Sequence, residues 1–392
     1  MTTQRQFGRR SVILGGAGAL AAAATAIPGN AFASETARRV ETAATPTGIA
    51  APTSAATEQA ELASLYQAAL AEGGKLTVYA GGDTPTQQDQ AKFGFLAQFP
   101  EMKLNMVVDL SKVHDARIDA QLSSGKVVAD VVELQTLDDF PRWKREGVLL
   151  KYRPLAYDKV RPQFKDRDGY YTGVVVLAFA NVTSTALGRA APVEASDFLK
   201  PEFKNKLLFT YPNDDDAVLF FFHQLVEKYG WGYISKLMAQ NPTFVRGTAA
   251  SAAAVYGGVS EATFATFSGL QAAPTDPARF TLPVHSPFVS WAQTAAILKK
   301  SPHPAAAKLY ISWLLSTPVQ GGGATWSPRA DIPVPPGYRS IFAYPNTNPT
   351  ALGRFLCDRG ALDRFKARIQ LYVGDVTGPS PTGVLGFYPG TF

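Results

Sequence analysis

Between Lys75 and Leu134 the chain switches repeatedly between two hydrophobic periodicities, and no other feature constrains the fold as tightly. Lys75-Leu76-Thr77-Val78-Tyr79 alternates as a strand and ends in Ala80-Gly81-Gly82-Asp83-Thr84-Pro85, a strand-to-helix turn. A helix is expected from about Thr86 to Phe99 and a second strand from Leu104 to Val108. A second helix should span Val113 to Leu122, with Gly125 suited to its C-terminal cap. Ala129 to Leu134 reads as a third strand that opens onto Gln135-Thr136. Strand, helix, strand, helix, strand with connections this short implies a parallel α/β sheet. A helix over Glu58–Glu72, with Leu62, Leu65, Tyr66 and Leu70 on one stripe, precedes it.

The pattern changes further on. Tyr170 to Phe179 is a long apolar strand, suited to crossing between two lobes. Lys206–Thr210 is another strand; it feeds Tyr211-Pro212-Asn213-Asp214-Asp215-Asp216 and then a helix from about Ala217 to Tyr229. Ala249–Gly257 reads as a small-residue helix and Ala262–Phe267 as a strand. Phe280–Pro283 and Ser290–Ile297 are expected to return to the first lobe. Pro304–Leu315 is a helix with Pro304 near its first position, and Ala307, Ile311, Leu314 and Leu315 share a face. One more helix, about Gly360 to Tyr372, precedes a Gly/Pro-rich extension. There is no internal repeat.

The N-terminal residues address compartment rather than fold. Gly8-Arg9-Arg10-Ser11 precedes a weakly apolar, Ala/Gly-rich run to Ile27, then Pro28 and Ala31-Phe32-Ala33. Paired arginines before such a run and a small-x-small exit are a twin-arginine export signal, cut near Ala33. The expected location is periplasmic or extracellular, with the twin-arginine translocase as partner during export. Glycines and Pro28 break the run, which falls short of the ~20 apolar residues a membrane span needs. Residues 34–58 are rich in Ala, Thr, Pro and Ser and read as a flexible spacer. Three of the arginines behind the net charge of +6 (Arg5, Arg9, Arg10) lie in residues 1–33, which hold no acids. The remainder is nearly balanced, without the footprint of a nucleic-acid binder. A hydrophobic content of 46% supports a well-packed globular protein. Cys357 is the one cysteine, so neither an internal disulfide nor a cysteine zinc cluster can form.

Several positions carry polar chemistry. Gly82, Asp83 and Thr84 lie between a strand and a helix. Glycines let a ligand approach the backbone, and helix N-terminal N–H groups favour polar or anionic oxygens. An ordinary tight turn with Asp83 or Thr84 as N-cap has the same sequence. Gln135 and Thr136 occupy the matching loop after the third strand, where an amide can both donate and accept. Asn213 and Asp214 open a helix with Asp215 and Asp216. Acids there complement the helix dipole, and one of them, or Asn213, could contact a cationic or hydroxylated ligand. Trp291 and Trp326 can stack on a ring or a cationic group, or pack the hinge. Arg329 can clamp a carboxylate or pair with Asp331. The four histidines, His114, His223, His285 and His303, sit in no hydrolase elbow, HExxH helix or Walker loop.

Taken together, Ala129-Asp130-Val131-Val132, Trp143 to Leu150, Asp168-Gly169-Tyr170-Tyr171-Thr172-Gly173, Ala295 to Leu309 with Trp313-Leu314-Leu315-Ser316, and Trp326 to Pro333 resemble the periplasmic solute-binding proteins of ABC importers, within the ferric-iron-type subgroup. The resemblance covers roughly residues 70–335 in the order of its elements. It implies an α/β, two-lobe periplasmic-binding-protein fold (type II) with hinge-crossing strands and a helical C-terminal segment. Lobe 1 would comprise 59–176 plus 285–335, lobe 2 177–284, and the C-terminal extension 336–392. It further implies a monomer that closes on a small polar solute, uses no cofactor and docks on an ABC permease. Ferric binders of the subgroup use a histidine or acid after the first strand, a carboxylate after the third and a tyrosine pair in the second lobe. Here those places hold Asp83, Gln135 and the stretch Ala265-Thr266-Phe267-Ser268. Phe267 and Ser268 are therefore expected to face a small polar solute (a chelated metal, a phosphonate, a polyamine or another polar organic molecule) rather than directly bound ferric iron, which needs anionic oxygen ligands. A secreted hydrolase with a dispersed site, and a ligand sensor without transport, stay open as alternatives.

Overall fold

The computed structural model describes residues 55–392; the expected twin-arginine signal and the expected spacer as far as residue 54 lie outside the described residues. The first helix, α1 (Ala55–Ala71), starts inside the stretch read as spacer. The reason is Glu58, whose buried carboxylate accepts bonds from the Thr317 backbone (2.8 Å), the Thr317 hydroxyl (2.9 Å) and Arg329 (3.1 Å). These long-range partners anchor a turn that its local composition would leave loose.

The alternating segment folds as β1 (Lys75–Gly81), α2 (Asp89–Gln98), β2 (Lys103–Asp109), α3 (Ser111–Ser124), β3 (Val131–Leu134) and α4 (Asp139–Arg145). β1 pairs in parallel with both β2 and β3, as the short crossovers demand. Gly125 ends α3 in the left-handed region, φ 71°. In β1, Leu76, Val78 and Ala80 face one core, with Phe95, Tyr310 and Trp313. Tyr79 faces another, with Ile118, Val132 and Trp143. A strand buried on both faces explains why the segment reads as almost continuously apolar.

The chain continues through β4 (Thr172–Ser184), β5 (Leu208–Thr210), α5 (Asp216–Tyr229), α6 (Trp231–Met238), β6 (Thr243–Val245), α7 (Thr248–Tyr256), β7 (Ala262–Thr266), β8 (Ala278–Thr281) and β9 (Val289–Ile297). The large sheet runs β2-β1-β3-β9-β4-β7, with β8 also on β4; β5 and β6 form a small parallel sheet. The crossing strand is longer than expected. Its first half pairs with β9 and its second, past Phe179, with β7 and β8. One strand thus joins the β9 part of the sheet to the β7 and β8 part, as a hinge-crossing strand should. β8 does not return to the first lobe as expected, because Ala278–Thr281 pairs with Asn181–Ser184 at the far end of β4. A third and larger core gathers Phe198, Phe209, Phe221, Phe222 and Phe264.

After β9 come α8 (Pro304–Leu314), α9 (Thr317–Gln320), α10 (Ala351–Cys357) and α11 (Arg359–Val373). α10 and α11 place Leu356, Leu362 and Ile369 in this third core, and Tyr372 stacks on Trp231 of α6 at 5.3 Å. The Gly/Pro-rich end is not a loose extension. Thr377 meets the Tyr211 hydroxyl at 3.1 Å, and the chain then crosses to β1, β2 and α3. There Arg117 donates to the carbonyls of Val384 and Gly386 (both 2.9 Å), Gln121 to Phe387 (2.7 Å), Tyr79 to Pro389 (2.8 Å) and Asn105 to Gly390 (2.8 Å). Glycine and proline composition conceals this ordering, because the bonds join tail carbonyls to side chains far away in sequence.

Candidate functional site

A cavity of about 370 Å³ lies where the carboxyl ends of β1 and β3 meet β4, β9 and the N-terminal ends of α5 and α7. The turn after β1 forms one wall. Gly81 and Gly82 are needed there for close approach: a Cβ on Gly81 would stand 2.2 Å from the Ser111 hydroxyl, and one on Gly82 2.6 Å from Val108. Asp83 follows, and its carboxylate reaches across to the start of α7. It accepts the Thr248 amide at 2.5 Å, the Thr248 hydroxyl, and the Ala249 amide at 3.3 Å. An acid after β1 therefore caps a helix 165 residues away in sequence. Gln135 makes a second crossing, donating to Asp215 at 3.0 Å, while the other Asp215 oxygen caps α5 through the Val218 amide at 2.9 Å.

The remaining walls are apolar or amide. Trp291 of β9 meets Phe179 of β4 edge-on at 4.7 Å. Its indole N–H donates to Gln293 at 3.1 Å, fixing the ring. Val175, Leu177 and Phe267 complete this side. Glu133, at the end of β3, is buried. One of its oxygens accepts the Tyr310 hydroxyl at 3.3 Å; the other accepts no bond among the described residues. Glu133 also lines a second cavity of about 430 Å³, walled by Trp313, Leu314 and Val319, which shares Gln87, Gln88 and Val175 with the first.

The charge of this cavity is one-sided. Asp83, Glu133 and Asp215 line it, and no Lys, Arg or His does. Burial pushes Glu133 up to about 7, against the Tyr310 bond. Burial, followed by the charge of Asp83, pushes Asp215 up to about 7 as well. Asp83 is also raised, because burial outweighs its bonds to Thr248 and Ala249. Asp214 contrasts with all three. Burial works against its charge too, but bonds from Arg246 (2.8 Å) and Lys112 (2.6 Å) hold it below the ordinary carboxylate value. Among the described residues no group of three or more His, Cys, Asp or Glu is placed to hold a metal ion.

Of the residues singled out in the sequence, Gly82, Asp83, Thr84, Gln135, Phe267 and Trp291 come together on the cavity wall. Thr136, Asn213, Asp214, Ser268, Trp326 and Arg329 stand outside it. Asn213 donates to the Gly374 carbonyl at 3.0 Å. Trp326 donates to the Arg339 carbonyl at 2.9 Å and packs on Tyr338. Arg329 is buried between Glu58 and Asp331, with nitrogens at 3.1 and 2.7 Å from their oxygens. The wall residues that sequence reasoning missed include Gln87, Gln88, Glu133, Thr248 and Gln293; Asp215 stands in the sequence among the acids that open α5, but Asp214 is singled out in its place. Asp215 had a usable signal: it precedes α5 at the N-cap, so its side chain, unlike that of Asp214, must turn back over the helix start.

A family model for bacterial extracellular solute-binding proteins matches residues 109–321, more than half of the chain. The chain belongs to that family, and its role is that of the exported solute-binding component of an ABC-type importer. Comparison with curated protein sequences gives no match. Solved structures agree with the fold. The periplasmic protein AfuA of Actinobacillus pleuropneumoniae, bound to fructose 6-phosphate, superposes with a TM-score of 0.61 at 17% identity, over 76% of this chain and 98% of that one. A periplasmic thiamin-binding protein gives 0.60 at 16% identity, over 77% and 96%. Iron-bound HitA of Pseudomonas aeruginosa gives 0.57 at 14% identity, over 75% and 99%. One backbone thus carries three unlike ligands, so the solute must be argued from the side chains.

Proposed function

We propose that the protein captures a small polar organic solute in the cavity between β1, β3, β4 and β9, by closure of a lobe of residues 59–176 plus 285–335 onto a lobe of 177–284. The observation that carries this reading is the meeting of Asp83 with the start of α7, and of Gln135 with Asp215, across an enclosed space. Polar groups of both lobes bridging one cavity are what a ligand needs to favour a closed state. Gly82, Asp83, Thr84, Gln135, Phe267 and Trp291 would contact the solute, and a permease would then recognise the closed form. Asp83 and Gln135 occupy the places of the ferric subgroup's ligands, yet no tyrosine stands near Phe267 and Ser268. This favours an organic solute within that branch, bound by a monomer without turnover. Trp291→Phe, which keeps most of the buried volume, should weaken binding several-fold, whereas Trp291→Ala should also destabilise the fold by about 3–5 kcal/mol because the side chain is buried. X-ray scattering should show compaction when the solute is added. Unchanged affinity would place the site elsewhere.

We further infer export through the twin-arginine translocase, on the strength of Arg9-Arg10 and the Ala31-Phe32-Ala33 exit. Arg9→Lys with Arg10→Lys should leave uncut precursor in the cytoplasm. Normal export of that variant would contradict the route.

A further inference from the structure

We propose that the solute is an organic cation, a protonated amine or quaternary nitrogen held by Glu133 and Asp215, with its apolar part against Trp291 and Phe179. The proposal rests on the solute-binding reading above and names the ligand class of that same cavity.

Three independent observations carry it. First, the cavity is lined by carboxylates without any basic side chain. Isolated buried carboxylates are unfavourable unless paired, so a site shaped for a neutral or anionic guest would gain from removing them or adding a cation. Second, Glu133 is only 4% exposed, and one oxygen has no hydrogen-bond partner among the described residues although the side chain lines the cavity. A buried acceptor left open towards a cavity is placed to receive a donor from a guest. Third, the same cavity is lined by aromatic side chains. Trp291 is fixed by its bond to Gln293 and meets Phe179 edge-on. An immobilised indole face attracts cations through its quadrupole, and a dry surrounding strengthens the effect. An anionic guest would meet three carboxyl groups and no basic side chain. A bare metal ion would need three or more converging ligands, which the described residues do not provide. The second cavity begins at Glu133, leaving room for a substituent on the charged nitrogen along Trp313 and Leu314.

The test is calorimetric titration and thermal shift of the purified protein with putrescine, spermidine, choline and thiamin, set against fructose 6-phosphate, citrate and ferric citrate. At least one of the four cations should bind saturably. Glu133→Gln and Asp215→Asn should each lower that affinity about tenfold or more, as expected for loss of a charged hydrogen bond, while the melting temperature holds or rises. Affinity should also increase from pH 5 to pH 8 in the parent, lose part of that dependence in Glu133→Gln, and lose most of it when Asp215→Asn is added. Failure of all four cations to bind, or a cation affinity untouched by both variants, overturns the proposal. Binding of one of the anions with compaction of the protein overturns the cation while leaving the solute-binding reading intact. Cation binding that neither Trp291→Phe nor the acid variants alter would refute the cavity assignment itself.

Discussion

Two sets of buried carboxylates occupy this molecule, and their surroundings differ. Those of the scaffold are compensated. Asp109 pairs with Arg117 at 2.6 Å and accepts the Thr382 hydroxyl at 2.5 Å. Glu58 holds Arg329 and the start of α9. Asp130 accepts the Thr77 amide (2.7 Å), the Ser301 hydroxyl (2.6 Å) and the His303 amide (2.8 Å). The carboxylates of the cavity have no such cations; Asp83 and Asp215 cap helices, and Glu133 has a single hydroxyl. The scaffold acids tie α1, the sheet and the C-terminal tail together. The cavity acids are kept at a cost in stability, which is reasonable only where something else supplies the opposite charge.

The difference can be broken experimentally, and the largest effect should come from the scaffold. Arg117→Ala strands Asp109 without its cation and frees the Val384 and Gly386 carbonyls, so it should cost roughly 3–5 kcal/mol in denaturant unfolding. A loss below about 1 kcal/mol would mean that the pair behaves as a surface salt bridge. The cavity acids should act in the opposite sense. The folded protein retains protons on Asp215 and Glu133 up to about 7, whereas the unfolded chain releases them near pH 4. Between these values the folded state binds more protons, so stability is full below the unfolded value and falls as pH rises towards about 7, by a few kcal/mol in all. The double variant Glu133→Gln, Asp215→Asn should flatten that slope. An unchanged slope would assign the pH dependence to other groups. Gln135→Ala should have the smallest effect, about 1 kcal/mol or less on stability for one lost hydrogen bond to Asp215. An effect above about 3 kcal/mol would make Gln135 a structural residue of the first lobe instead.

The parallel β1–β3 unit was legible because local periodicity and short connections determine it. So was the turn at Gly81-Gly82-Asp83, where backbone approach demands glycine. The crossing strand was legible as a strand, but its length was not. Past Phe179 the run Ala180-Asn181-Val182-Thr183-Ser184 is less apolar, and only pairing with β7 and β8 extends it. Arg329 was open between a ligand clamp and a partner for Asp331. Burial against Glu58, far away in sequence, decided for the scaffold. Glu133 was hidden inside an apolar strand, where alternation says nothing about which face borders a cavity. The tail was hidden because its bonds run from carbonyls, which every residue has, to side chains on distant elements.

The uncompensated charge of the cavity can be tested by counting protons. Titration with a binding cation at about pH 6.5, in two buffers of different ionisation enthalpy, should show net proton release as Glu133 and Asp215 ionise against the guest. Zero exchange or proton uptake would contradict the account, because the acids would then be playing no part in holding the solute.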